Sequence, residues 1–244
     1  FLRFLPGALL MAPLLWRWGL RDLGGIGWGR ALMLTLLAGP GFSLLIMTGF
    51  SLAPLAHGAV IAPACQMLSG LGLSAWLAQQ RLTRETVFGA SFVVLGLLFV
   101  GGDSLLHQEG SQTLVGDLLF AVAGCCWGLF GALSRRWQVA PLRVTGVVVV
   151  SAFLLSAPGF LLLADLSRVR AAGAGMLLMQ LVAQGLGAGL VAVLAYSRAA
   201  ELLGSGRAAF FGALVPGAAS LLASPVVGEV PSVLQVLGIV AVVL

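Results

Sequence analysis

The sequence contains no lysine, a single tyrosine, three cysteines and two histidines, and only 9% of its 244 residues are charged. Each shortage excludes something. Soluble globular domains carry roughly 25% charged residues, so this chain lacks the polar surface that a water-facing core of its size needs. Cys125 and Cys126 are adjacent in one apolar run and Cys65 lies in another. That spacing makes neither a disulfide framework, nor a zinc site, nor a C-x-x-C redox pair, and small apolar packing roles fit these residues better. With lysine absent, all 13 basic residues are arginines. They are scattered in short breaks without interleaved aromatics, which is not the continuous basic stripe of a nucleic-acid binder. His57 and His107 lie at or beyond the ends of apolar runs with no serine, cysteine or metal-ligand companion nearby in sequence. No catalytic constellation follows from them; the expectation is no enzyme, no metal and no cofactor.

What remains is overwhelmingly apolar: 60% hydrophobic residues and 34 glycines, with a mean hydropathy of +1.09. Nine apolar runs fall near 1–16, 31–50, 56–78, 86–101, 113–133, 144–163, 175–196, 207–227 and 232–244. A bilayer core takes about 20 helical residues at roughly 1.5 Å rise each, and the interior runs reach or approach that length. A barrel strand would instead alternate apolar and polar residues, whereas 146–150 and 92–100 are apolar on both alternating sets. The fold class predicted is an all-α integral membrane protein, a polytopic helical bundle. The chain begins at Phe1 and ends inside an apolar run, so it is expected to be a piece of a longer protein.

The arginines orient the runs. The breaks at 17–30, 79–85, 134–143 and 197–207 hold Arg17, Arg21, Arg30, Arg81, Arg84, Arg135, Arg136, Arg143, Arg198 and Arg207. The opposite breaks hold only Arg168 and Arg170, while Asp103, Glu109, Asp165 and Glu229 fall on that side. Positive residues accumulate on the cytoplasmic side, which places the first set of breaks inside the cell.

A shift of 149 positions lays 56–95 on 205–244 without a gap, with eight identities in 40, among them Val93–Leu95 on Val242–Leu244. The order of helix, polar break and helix repeats as well. The run 113–133 would then map ahead of Phe1, which implies one further helix there. Five helices per repeat, ten in all, force the two halves into opposite orientations, the inverted-repeat arrangement of many secondary transporters. The expected organisation is a first repeat over 1–101 lacking its first helix, an external linker over 102–112 and a second repeat over 113–244.

Gly228-Glu229-Val230-Pro231-Ser232, followed by Gln235 and Gly238, resembles a recurring pattern of the EamA-type members of the drug/metabolite transporter superfamily. Gln79-Gln80-Arg81-Leu82-Thr83 with Gly89 is a variant of it in the first half, with Gln80 where that pattern has glutamate. Arg3-Phe4 and the helix from Gly116 to Trp127 are also similar to segments of this family. The resemblance implies ten helices when intact, both termini cytoplasmic in a bacterial inner (plasma) membrane, and metabolite movement through a cavity between the halves.

Polar residues inside apolar runs are functional candidates because lipid burial of such groups is costly. Gln180 and Gln184 are four apart, hence on one helical face, and serve either a substrate or a neighbouring helix. Gln66 is open to the same two readings. Pro63 and Pro216 interrupt equivalent runs and free a backbone carbonyl, for a transport site or for a packing kink. Trp127, between Gly124 and Gly128, lines a cavity or packs in a core. Arg3 either snorkels to the interface or attracts an anionic group. Trp16, Trp18, Trp28 and Trp137 read as interface anchors, and Gly124/Gly128 and Gly185/Gly189 as helix-packing faces. The function expected is secondary transport of a small amino-acid-like or drug-like compound by alternating access, in the export direction, with efflux from the cytoplasm; a non-transporting membrane scaffold or subunit is the alternative. The partners expected are a small-molecule substrate and the lipid bilayer, with no nucleic acid; a homodimer stays open.

Overall fold

The computed structural model describes residues 2–78, 83–84, 87–96, 111–163, 167, 171–204, 208 and 236–237. Among the described residues there is no strand, and helices account for most of them. In order they are α1 (Leu5–Trp18), α2 (Trp28–Ala38), α3 (Pro40–Leu52), α4 (Leu55–Ala78), α5 (Val87–Gly96), α6 (Ser111–Arg136), α7 (Pro141–Leu163) and α8 (Gly173–Gln180). A π-helical stretch (Leu181–Val191) and α9 (Ala192–Leu203) complete the set.

Local chemistry sets the ends. Prolines open α3 and α7 and stand next to the start of α1, where the missing N–H leaves no bond unmade. Gly19 closes α1 at φ +99°, and Gly204 follows α9 at φ +92°, a conformation that L side chains resist. At Gly39–Pro40 the span Trp28–Leu52 is broken into two helices. Pro40 donates no hydrogen bond, and a Cβ on Gly39 would come within 2.5 Å of the Thr35 carbonyl oxygen and 2.9 Å of Ala152.

Among the described residues, four segments are long and apolar enough to cross a bilayer: Trp28–Leu52, Ser111–Arg136, Pro141–Leu162 and Gly173–Leu203. The last keeps only 22% of its apolar window inside the protein. Leu161 and Leu162 are 73% and 83% exposed. In water such surfaces are aggregation sites; in lipid they are the outer face of the protein. The chain is a polytopic helical membrane protein. The described helices overlap the apolar runs at 1–16, 31–50, 56–78, 86–101, 113–133, 144–163 and 175–196, with two of the long spans running a few residues further at each end. The runs at 207–227 and 232–244, with Pro216 and the Gly228–Ser232 pattern, lie outside the described residues apart from 208 and 236–237.

The chain forms two compact units. The first joins residues 1–41 to 133–202. Its core lies on α7, where Val144, Val147, Val148, Val149 and Ala152 are all fully buried. A helix buried this widely has no polar stripe, which is why its sequence reads as unbroken valine. α1, α2 and the π-helical stretch pack against α7, and Met11, Val149 and Leu190 form a cluster where α1, α7 and the π-helical stretch meet.

The second unit comprises 42–132 and 203–244. Ile46, Ala53, Val60, Ile61, Ala62, Phe120 and Ala123 gather α3, α4 and α6 and the turn after α3 into one core, and Ala64, Met67, Leu71 and Val93 seat α5 on α4. The α4–α6 contact is close because Gly124 and Gly128 face it: a Cβ on Gly124 would lie 2.9 Å from Cys65 Cβ, and one on Gly128 2.7 Å from the Gln66 carbonyl oxygen. Pro63 sits buried inside α4, which continues through it as a single helix of 24 residues.

Candidate functional site

In the first unit two of the candidate residues, Arg3 and Gln184, meet on the π-helical stretch. A π-helix pairs each N–H five residues back and is frequent at functional sites. Arg3, just ahead of α1, directs its guanidinium onto this stretch: Nη1 donates to Gln184 Oε1 and Nη2 to the Ala188 carbonyl oxygen, each at 3.5 Å. The approach depends on small residues. A Cβ on Gly185 would lie 2.6 Å from Pro6 Cγ, and one on Gly189 would collide with the Arg3 carbonyl oxygen. The Gly185/Gly189 face is therefore the seat of the α1 N-terminal segment, and it holds Arg3 beside Gln184.

Arg3 is half-buried, with its guanidinium turned onto the π-helical stretch. Gln184 serves Arg3, and Gln180, at the end of α8, is half-buried one turn away. The cluster combines a cation, an amide and a backbone carbonyl inside an apolar span. Such a set suits the carboxylate or hydroxyl groups of a small polar molecule.

Gln66 and Trp127 belong to the second unit. Trp127 is 8% exposed and packs against Phe42 and Phe130, with ring centroids 4.8 and 5.6 Å away. Gln66 is half-buried on α4, its backbone carbonyl accepting from Ser69 Oγ at 3.1 Å. Both lie along the α4–α6 contact. Ser69 Oγ and Ser156 Oγ also donate to carbonyls four residues back, at 2.6 and 2.7 Å, the usual way a hydroxyl is carried in an apolar helix.

His57 is the main correction to the sequence reading. It is fully buried, and its Nδ1 stands 2.8 Å from Asp117 Oδ1. The partner is 60 residues away on α6, and only the register of α4 against α6 brings the two together. Asp117 is a carboxylate inside the run 113–133 that the sequence analysis did not single out.

The arginine-rich end of the first unit was also read only in part. Arg143 donates to the Gly24 carbonyl oxygen at 3.1 Å, Arg135 to that of Ala200 at 3.2 Å, and Arg30 lies 5.3 Å from the Trp137 ring centroid. Three arginine-bearing breaks thus meet at one end of the unit. A cavity of about 260 Å³ opens there among Ser134, Arg135, Gln138, Val144, Ser197 and Glu201. Trp16 and Trp28 are exposed, and Trp28 Nε1 donates to the Arg21 carbonyl oxygen at 2.9 Å, which fits an interfacial belt.

Comparison with known proteins gives these features a context. The sequence profile of the EamA-like transporter family matches residues 114–244. The uncharacterized transporter YyaM of Bacillus subtilis (strain 168) is 26% identical over 113 residues. That match takes in 45% of this chain and 37% of the relative, so it spans little more than a third of the relative's length. A solved crystal structure of a protein 22% identical superposes with a TM-score of 0.67, covering 99% of this chain and 83% of the other. At that identity the likeness is one of fold.

Proposed function

We propose that this chain, which belongs to the EamA-like transporter family, is the larger part of a secondary transporter that exports a small amino-acid-like or drug-like metabolite by alternating access. The intact protein then has ten helices in two inverted five-helix repeats, in the bacterial inner membrane with both termini cytoplasmic. The family match from residue 114 onward supports a second repeat beginning near 113. The meeting of three arginine-bearing breaks at one end of the first unit supports the orientation.

The observation that carries the site is the contact of Arg3 with Gln184 and the Ala188 carbonyl oxygen on a π-helical stretch within an apolar span. A guanidinium there is held by two acceptors and remains able to bind an anionic group of a substrate. Gln180, one turn away on the same span, extends the polar face toward a second group.

The test is to overexpress the full-length protein, verify insertion, and profile extracellular and intracellular metabolites by mass spectrometry. The wild type is compared with Gln184→Ala and Gln180→Ala/Gln184→Ala. The reading predicts that one compound class leaves the cell faster with wild type, and that the variants lower this export tenfold or more. Equal export by wild type and variants removes the site. No compound moving in either direction, despite full insertion, favours a scaffold.

A further inference from the structure

The second unit holds an ionisable pair that the transport site does not use. His57 is the third residue of α4 and fully buried; Asp117 lies in the second turn of α6 with its side chain 13% exposed. Asp117 is roughly 9 Å along the axis from the start of a 26-residue apolar span, at about 1.5 Å per residue. Each partner has a glycine beside it. A Cβ on Gly58 would come within 2.5 Å of Phe50 and 2.8 Å of Phe120, and one on Gly116 within 2.6 Å of Ala53. The Phe50 and Phe120 rings, centroids 5.0 Å apart, crowd the backbone next to His57.

Among the described residues, the helices that form this core, α3 to α6, add few ionisable groups. α3 and α5 carry no ionisable residue; α4 adds only Cys65. α6 adds Cys125 and Cys126, with Arg135 and Arg136 at its far end. Asp103, His107 and Glu109 precede α6 and lie outside the described residues.

A helix tie alone does not call for ions. Replacing a buried ion pair by apolar residues of similar volume is often neutral or stabilising, and ionisable groups inside membrane spans commonly form proton relays. The pair's charge states give it a second use. With Nδ1–H donated to the carboxylate, an imidazolium and a carboxylate together carry no net charge. Loss of one proton to water leaves a neutral imidazole beside the carboxylate and a net charge of −1. The burial of His57 opposes that charge; access of water, or the arrival of a cationic group, relieves it. Proton loss is therefore linked to any change that exposes the pair.

We propose that His57 and Asp117 form a proton-binding site through which the carrier exchanges a hydrogen ion during its cycle. This rests on the transport reading above. Two measurements on the full-length protein test it. In lipid nanodiscs, with ¹⁵N-labelled histidine and the His57 signal assigned by its loss in His57→Gln, the imidazole is followed between pH 4.5 and 9. The proposal predicts that the imidazole gains and loses one proton across this range, and that the midpoint moves in Asp117→Asn. An imidazole whose form never changes across that range overturns it.

In proteoliposomes loaded with pyranine, a radiolabelled mixture of the twenty amino acids is the probe. Wild type is expected to move protons as label exchanges. In Asp117→Asn, with folding checked by size-exclusion chromatography, the ratio of proton signal to label exchange in the same vesicles is expected to fall at least tenfold, and an unchanged ratio overturns the proposal. Label exchange in wild type without any proton signal overturns the coupling and leaves the transport reading standing. No label crossing with any variant overturns the amino-acid transport reading, and the coupling with it.

Discussion

Thr145 is fully buried on α7 with a hydroxyl that has no hydrogen-bond partner among the described residues. An unmade hydrogen bond at a buried hydroxyl costs about 1–3 kcal/mol, so Thr145→Val, which keeps the shape, should raise the melting temperature in detergent; a fall of several degrees would mean that the hydroxyl is satisfied. Arg3 makes the opposite case. Its two guanidinium nitrogens reach two acceptors, which the single ammonium of lysine cannot span in the same way. Arg3→Lys keeps the charge, yet it should raise the transport KM roughly tenfold, since one hydrogen bond from a charged group is worth about 1.5–3 kcal/mol. An unchanged KM would show that Arg3 acts as a point charge. The sequence singles out Arg3 and Gln184 because a polar side chain in an apolar run is visible from composition alone. Their mutual contact was not visible, being 181 positions apart, and the same is true of His57 and Asp117. Pairing across helices depends on register, and a 3.6-residue period carries no information about register.

Helix existence and length follow closely from hydropathy, because lipid requires every backbone group to be paired within the segment. The run 113–133 becomes Ser111–Arg136 and 144–163 becomes Pro141–Leu163. Two features at this scale escaped. The break at Gly39–Pro40 has the residues of a helix interruption, but the flanking apolar run is long enough to read as one span. The π-helical stretch differs from an α-helix by one residue in its hydrogen-bond ladder, and Leu181–Val191 has no composition that marks such a change. The glycine faces, in contrast, are legible as small-xxx-small patterns and are borne out by their neighbours. On Gly128 a side chain would strike Ser69 Oγ and the backbone of Gln66 and Gly70. Gly128→Leu should therefore separate α4 from α6, costing at least the 1–3 kcal/mol typical of overpacking, with loss of folded protein by size-exclusion chromatography. Gly72→Leu, where nothing lies within 4 Å, is the control that should leave the profile unchanged. Equal behaviour of the two variants would contradict the seam.

The whole chain divides into units that draw on both halves of the sequence, 1–41 with 133–202 and 42–132 with 203–244. Each unit takes helices from either side of the 102–112 segment. Sequence periodicity speaks of how a chain was built up, whereas compactness depends on which helices pack. Orientation is a property of this scale too. In a protein whose three cysteines are replaced by alanine, a membrane-impermeant maleimide applied to intact cells should label Ser111→Cys and spare Gln138→Cys until the membrane is opened. The reverse pattern would invert the topology read from the arginines.

The most direct measurement of the central claim is counterflow in proteoliposomes made with the full-length protein. The vesicles are loaded with a high concentration of the unlabelled compound class found by metabolite profiling, and the labelled compound is added outside at trace level. A carrier that alternates between two faces predicts transient accumulation of label above its equilibrium level, reduced at least tenfold by Gln184→Ala. Label that never exceeds the level of protein-free vesicles would contradict transport by this protein.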